Sequence, residues 1–449
     1  MTSRTPGVWR NWSGTVDVRA ARYWRPRDTG DVVRAVRWAG RRGLRVRAVG
    51  GGHSFTDCAA TDGVLLNLDA LDAVETVEPQ ADGTALVTVG AGIRLRALNR
   101  ALAQRGLAMA NLGDIDHQSI AGAISTGTHG TGLRVGGLAT QVAGVRLVTA
   151  DGEVREVDDA RDPELFEAAR LGLGAHGVLV AVTLRAVPAF SLCAHEETLD
   201  LDEVLDRLDG PDGWLATTDH VDLFWFPFTR RALVKRNDRL DPGASEELPP
   251  GLGRARRWVD DEVLSNGVFE LTNRLAAAAP RAVPAVNAVA ARALSNRTYA
   301  GPSAQVFVSP RRVVFREMEY AVPMAALRDV VGEVDSWLRR TREPVPFPVE
   351  LRFAGPDDVW LSTAHGRATA YVAVHQYHRL PHERYFDAVE AIMGAVDGRP
   401  HWGKLHGLGV ERLSTLYPRL ADVRRVRTRV DPEGRFANTY TDRVLGPVG

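Results

Sequence analysis

The apolar positions of this chain change period several times along its length. From Asp31 to Arg42, Val32, Val33, Val36 and Ala39 recur with helical spacing, and Gly43 follows as a stop. Leu44, Val46 and Ala48 then alternate with Arg45 and Arg47. That is the period of a half-buried strand, and it runs into Gly50-Gly51-Gly52-His53-Ser54. Short strands are predicted at 64–68, 74–77 and 85–89. A helix over 94–104 places Leu95, Leu98 and Leu102 on one face. Beyond a long Gly/Ser/Thr-rich stretch come strands at 141–149 and 153–157, joined by Asp151-Gly152. A helix at 163–170 and an apolar strand at 178–187 complete a first lobe of mixed helix and sheet.

The pattern then predicts a helix at 201–208 and strands at 220–228, 305–308, 313–320, 349–353 and 370–377. Helices are predicted at 325–340 and 382–393. Strands flanked by separate helices, without steady alternation, indicate an α+β lobe. The chain therefore reads as a two-lobed α+β protein: residues 1–190, residues 191–415, and a closing segment 416–449 that returns to the first lobe. The stretch 238–257 is rich in Pro, Gly and charge and reads as a surface loop.

Length and composition fit this division. A chain of 449 residues with 45% apolar residues can build two cores. Its 56 basic residues are matched by 56 acidic ones, so it lacks the positive excess of a nucleic-acid binder. The uncharged stretch Leu171–Leu184 is shorter than the roughly 20 residues of a membrane helix. No hydrophobic signal core opens the sequence, so cytoplasmic residence is the expectation. Cys58 and Cys193 make neither a disulfide framework nor a metal-ligand spacing. All but two of the basic residues are arginine; the exceptions are Lys235 and Lys404.

The glycines are clustered. Gly50, Gly51 and Gly52 match neither the G-x-G-x-x-G fingerprint nor a P-loop, so a Rossmann site is not expected. A second cluster holds Gly122, Gly127, Gly130 and Gly132 with Ser119, Ser125, Thr126, Thr128 and His129. Small hydroxylic residues and free amides suit a long phosphate-bearing cofactor.

The stretch VGGGHSFTD, followed by NLGDIDHQSIAGAISTGTHGTG, resembles the FAD-binding (PCMH-type) lobe of the vanillyl-alcohol-oxidase family. Within that family the resemblance is to the aldonolactone oxidases and their relatives the alditol oxidases. VELRF at 349–353, RPHWGK at 399–404 and DPEGRFAN at 431–438 extend it over nearly the whole chain.

The resemblance implies an FAD cofactor. Gly50, Gly51, Gly52 and Ser54 would line its pyrophosphate, and His53 would carry the flavin covalently. Ser119, Gly122, Thr126, His129 and Gly130 would meet it from the other side, and Val178 by its backbone. The family's second attachment, through a cysteine, has no counterpart here. Gly113 would sit where oxygen reaches the flavin, and His117 near the flavin in an open role. Relatives commonly have Ser at the position of Asp114, on the substrate side.

Glu350 and Arg352 lie two apart on a predicted strand and so share a face. By resemblance they would orient the substrate and meet charge developing on the flavin, with Lys404 near the substrate oxygen that becomes a carbonyl. Lys235 reads as solvent-exposed. His375 and His378 lie on the strand expected to wall the substrate pocket, and His375 or His378 would accept the proton. With His382 they complete no metal-ligand set, and no metal is expected. The implied function is oxidation of a sugar-derived alcohol with O2 as acceptor, most simply of an aldono-1,4-lactone. Alternatives are an alditol oxidase, a dehydrogenase using a quinone or cytochrome, an oxidase of a specialised metabolite, and a flavin carrier.

Overall fold

The computed structural model describes residues 7–240, 267, 269–294, 296–309 and 312–448. Beyond Leu240, the predicted surface loop at 238–257 lies outside the described residues.

The first lobe holds a short antiparallel pair, Gly7–Arg10 with Asp17–Ala20, and two larger sheets. Strands β1 (Arg22–Trp24), β2 (Val46–Val49) and β3 (Val64–Asn67) form a parallel sheet in the order β1-β3-β2. Parallel pairing needs a crossover, and the helix Thr29–Gly40 supplies it. The Asp28 carboxylate caps that helix by accepting from Asp31 N–H at 2.7 Å, and Val32, Ala35, Val36 and Ala39 are buried. The second of these larger sheets is antiparallel, built of β4 (Val74–Pro79), β5 (Ala85–Gly90), β6 (Val142–Val148), β7 (Val154–Asp158) and β8 (Val178–Pro188) in the order β7-β6-β8-β5-β4, with the short strand Leu107–Ala108 pairing to the end of β8. The second glycine-rich segment runs between β5 and β6.

The second lobe is an eight-stranded antiparallel sheet. Its strands are β9 (Ser191–Asp200), β10 (His220–Trp225), β11 (Arg231–Arg239), β12 (Arg297–Pro302), β13 (Phe315–Pro323), β14 (Val349–Ala354), β15 (Thr369–Tyr377) and β16 (Arg399–Pro400). They are ordered β12-β9-β11-β10-β14-β15-β13-β16. The helices Leu327–Thr341 and Glu383–Gly394 cover one face, packing Val330, Val334, Phe386 and Val389 with Met318, Tyr320, Leu351, Phe353, Val372 and Val374. Period-two alternation then sends Glu317, Glu319, Glu350, Arg352 and His375 to the opposite face.

Two readings change. The apolar run at 305–308 is not a strand but part of the helix Ser303–Phe307. The sheet edge beside it is already taken by β12, and a short apolar run has no period of its own. The apolar pattern does not mark β9, β11 or β12: polar and charged residues run along β9 and β11, and β12 buries only Tyr299.

The closing helices Val410–Leu416, Leu420–Val430 and Thr439–Leu445 share the core of the first lobe, beginning at Leu413. The Val46 N–H donates to Arg435 O at 2.8 Å. The buried Arg47 guanidinium donates to Phe436 O (2.8 Å), Gly174 O (3.1 Å), Leu173 O (2.6 Å) and Cys58 O. One side chain thus joins β2, the β8 approach and the C-terminal segment.

Candidate active site

Two clefts meet where the lobes face each other. The first is an open groove of about 950 Å³, including the solvent at its mouth, lined by Gly50, Gly51, Gly52, Ser119, Gly122, Gly177, Val178 and Phe436. The second, of about 720 Å³, is lined by Gly113, Asp114, His129, Glu317, Glu319, Glu350, Arg352, His375, His401 and Lys404. His53, Ser54, Gln118 and Thr126 line both. One elongated ligand can therefore run from a glycine-rich, mostly apolar groove into a charged chamber.

Close packing demands the glycines of the groove. A Cβ at Gly50 would lie 2.0 Å from Ser119 Oγ, and one at Gly51 would lie 2.5 Å from His117 O. Gly52 has φ +70°. The two glycine-rich segments pack directly on each other, a reason for glycine besides approach to a ligand. Ser119 caps the helix Ile120–Ser125, its Oγ accepting from Gly122 N–H at 3.2 Å. Gly130 lines neither cleft; a Cβ there would lie 2.3 Å from Leu112 O. His117 is also outside the lining, but its ring stacks on His53 at 5.7 Å.

His53 stands at the junction. Its ring lies between Trp12, at 5.5 Å, and His117. Burial brings its pKa down to about 4, helped by His117, Arg94 and Lys404. The ring is a neutral imidazole at physiological pH.

The charged chamber is the polar face of the eight-stranded sheet of the second lobe. Register sets Glu317 opposite His375, Glu350 opposite Ala373 and Arg352 opposite Tyr371. The small Ala373 also faces Glu319 and leaves room between the two acids. Arg352 is held by three carboxylates: Glu350 at 2.5 Å, Asp222 at 3.1 Å and Asp114 at 3.5 Å. Burial disfavours its charge, but Glu350, Asp114 and Asp222 outweigh burial and hold it protonated. Lys404 pairs with Glu317, and its ammonium lies 5.3 Å from the Phe55 ring centre. Burial likewise disfavours the Lys404 charge, and Glu317 and Glu319 overcome it.

His375 Nδ1 faces Pro348 O at 3.3 Å, a donor geometry. Its Nε2 lies 3.4 Å from Glu317 and 4.0 Å from Glu350. His378 instead turns to Val314 O at 2.9 Å, and His382 to Glu383 at 3.3 Å; neither lines a cleft.

Lys235 does not match its sequence reading. It is partly buried in β11, and its Nζ donates to Val306 O at 2.7 Å. The helix that replaces the expected strand provides that acceptor.

Sequence reasoning missed Asp222, Glu317, Glu319 and His401. Glu317 and Glu319 sit two apart in FREMEYAVP, a stretch apolar but for them and Arg316, and that was their available signal. His129, Glu319 and His401 bring three potential cation ligands together. However, His401 Nδ1 accepts from Gly403 N–H at 3.0 Å, so in the neutral ring Nε2 carries the proton. His129 faces Gly130 O at 2.9 Å and Glu319 at 3.1 Å. With its Nε2 protonated, His401 offers no lone pair toward the other two side chains.

Comparison with known proteins agrees with this architecture. Residues 20–158 match an FAD-binding domain, and residues 182–444 match the D-arabinono-1,4-lactone oxidase family. An L-gulono-1,4-lactone dehydrogenase of Mycobacterium tuberculosis is 41% identical, over 98% of this chain and 99% of its own. An L-gulonolactone oxidase of Mus musculus is 31% identical, over 97% and 98%. An alditol oxidase of a Streptomyces species is 33% identical, over 97% and 98%. Cholesterol oxidase of B. sterolicum shares the fold, with a TM-score of 0.78 at 19% identity over 98% of this chain and 96% of its own. Among the described residues, no helix is long and apolar enough to cross a membrane. The chain binds FAD and belongs to the vanillyl-alcohol-oxidase (PCMH-type) flavoproteins, within their D-arabinono-1,4-lactone oxidase family.

Proposed function

We propose that the protein oxidises a neutral polyhydroxylated substrate, an aldono-1,4-lactone at its C2 hydroxyl, with O2 as final acceptor. The observation that carries this reading is the junction of the two clefts. A glycine-lined groove fit for a dinucleotide opens at His53 into a chamber of paired charges. Bound FAD supplies the hydride acceptor.

The chain's own residues position, charge and deprotonate. Arg352 presents a fixed guanidinium toward the reacting oxygen and toward negative charge that develops in the transition state. Glu350 and Asp222 hold that guanidinium in place. Lys404 offers a compact ammonium, for which arginine is no substitute. His375, tethered through Nδ1 to Pro348 O, presents Nε2 as the proton acceptor. Asp114 accepts a hydrogen bond from a substrate hydroxyl. Asp114, Glu317, Glu319 and Glu350 outnumber Arg352 and Lys404, so the chamber disfavours a carboxylate substrate and favours the closed lactone. Gly113, without a side chain, leaves open the approach of oxygen.

We also propose that His53 carries the flavin covalently. A partly buried neutral imidazole at the cleft junction suits that attachment.

Oxygen uptake with L-gulono-1,4-lactone, D-arabinono-1,4-lactone, xylitol and the open aldonates tests the reading. Turnover confined to lactones is expected. Turnover of xylitol alone refutes the lactone assignment, and turnover with dyes but not O2 refutes the acceptor. Flavin absorbance that stays with acid-precipitated protein, and is released from His53→Ala, supports the covalent link; release from the unmutated protein refutes it.

A further inference from the structure

Glu317 touches two of the residues assigned above, through different oxygens. Its Oε2 pairs with Lys404 Nζ, and its Oε1 lies 3.4 Å from His375 Nε2. It is buried, at 5% exposure, so water does not replace either contact. The backbone fixes the same geometry. Glu317 and His375 are register partners across β13 and β15, and the Leu405 N–H donates to Glu317 O at 2.9 Å. One residue further along that strand face, the His401 N–H donates to Glu319 O at 2.9 Å. The loop bearing Lys404 is thus tied to β13 by main chain on both sides of the ion pair.

We propose that Glu317 is a positioning residue for the oxidation: one carboxylate keeps Lys404 charged and aimed into the chamber, and stands beside His375 Nε2 to accept a hydrogen bond from it once it has taken the substrate proton. This inference rests on the reading of the chamber as the site of alcohol oxidation. A lysine on a four-carbon stem has no fixed geometry of its own, and burial drives it to shed its proton. Glu317 counters both. A proton arriving on His375 Nε2 then lands beside an anion that has been paid for in advance by Lys404. The other groups facing this cluster are Glu319 on β13, Glu350 and Arg352 on β14, His401 beside Lys404, and Asp114, His53 and His129 from the first lobe. Glu319 and Asp114 also favour the Lys404 charge, and burial opposes it. Removing Glu317 therefore weakens that charge without abolishing it.

The scarcity of lysine makes the test direct. Holoenzyme labelled with [6-¹³C]lysine gives two resonances, from Lys235 and Lys404, and Lys235→Arg assigns them. In the unmutated protein, Lys404 is expected to stay protonated through pH 10. In Glu317→Gln its midpoint is expected to fall by at least about one pH unit, the ordinary effect of losing an adjacent opposite charge. In the same variant the alkaline limb of kcat/KM moves to lower pH by a similar amount. The kcat falls at least about tenfold while KM stays within about threefold. Glu317→Asp keeps the charge but retracts it, and is expected to lie between the two. If Glu317→Gln does not fold, Glu317→Asp alone decides.

A Lys404 midpoint that is unmoved in the variants overturns the proposal. So does a loss of activity with no displacement of the pH profile, which a merely structural role would give. The lysine titration needs no turnover, so it stands even if no lactone proves to be a substrate.

Discussion

Replacing Arg352 tests the charge arrangement of the chamber most severely. Three carboxylates surround this guanidinium, which is 11% exposed at the side chain. At 4 Å and an effective dielectric of about 20, a pair of unit charges interacts by about 4 kcal/mol. In Arg352→Met the attraction vanishes and mutual repulsion among Glu350, Asp222 and Asp114 takes its place. Breaking a buried pair and leaving its charge uncompensated costs about 3–5 kcal/mol, and that is the expected loss of folding stability near pH 8. Carboxylates crowded in this way in the variant have raised pKa values in the folded state. Their penalty grows as pH rises and is relieved as pH falls, so the deficit should shrink between pH 8 and pH 5. Activity should fall by about 10²–10³-fold in kcat, the usual effect of removing one donor from a site that stabilises developing charge. Arg352→Lys restores charge but not the fork that reaches several partners. It should recover most of the stability and little of the activity. Urea unfolding followed by tryptophan fluorescence at both pH values, with steady-state kinetics, measures all of this. An Arg352→Met protein as stable as the parent at pH 8, or a deficit that grows toward pH 5, would refute the reasoning.

Further predictions follow from other residues. A Cβ at Gly113 would stand 3.1 Å from His129 O and 3.3 Å from Thr128 Cγ2, so Gly113→Val should slow flavin reoxidation by O2 at least about tenfold. Dye-linked turnover should persist, and stopped-flow reoxidation checks both. Asn438 donates to Asp57 O, Cys58 O and Ala60 O at 2.9, 3.1 and 3.0 Å and caps the last helix. Asn438→Ala should cost about 2–4 kcal/mol by thermal or urea unfolding, from the lost cap and unsatisfied carbonyls. His406 is buried, and burial followed by Arg443 brings its pKa down to about 3. A histidine depressed in this way contributes stability above its unfolded value, near 6.5, and loses it as pH falls toward 3. His406→Gln should therefore flatten the fall in urea midpoint between pH 6.5 and 4.

Much of this protein was already determined by its sequence. Regular periods identified the helix Thr29–Gly40, the helix Pro163–Arg170 and strands such as β8, because those elements bury one consistent set of apolar side chains. The glycine clusters and VELRF identified the cofactor lobe and the Glu350/Arg352 pair, because a two-residue spacing fixes a shared strand face. The tertiary structure decided what shares that face. Glu317, Glu319 and Asp222 come from strands far apart in sequence, and only the order and register of the eight-stranded sheet bring them to Lys404, His375 and Arg352. It likewise decided that His375 faces the chamber and His378 does not, and that Lys235 is covered while Lys404 is engaged. The physical reason is the same in each case. Period and spacing encode which way a side chain points along its own element, whereas a charge network depends on neighbours that only the folded sheet supplies.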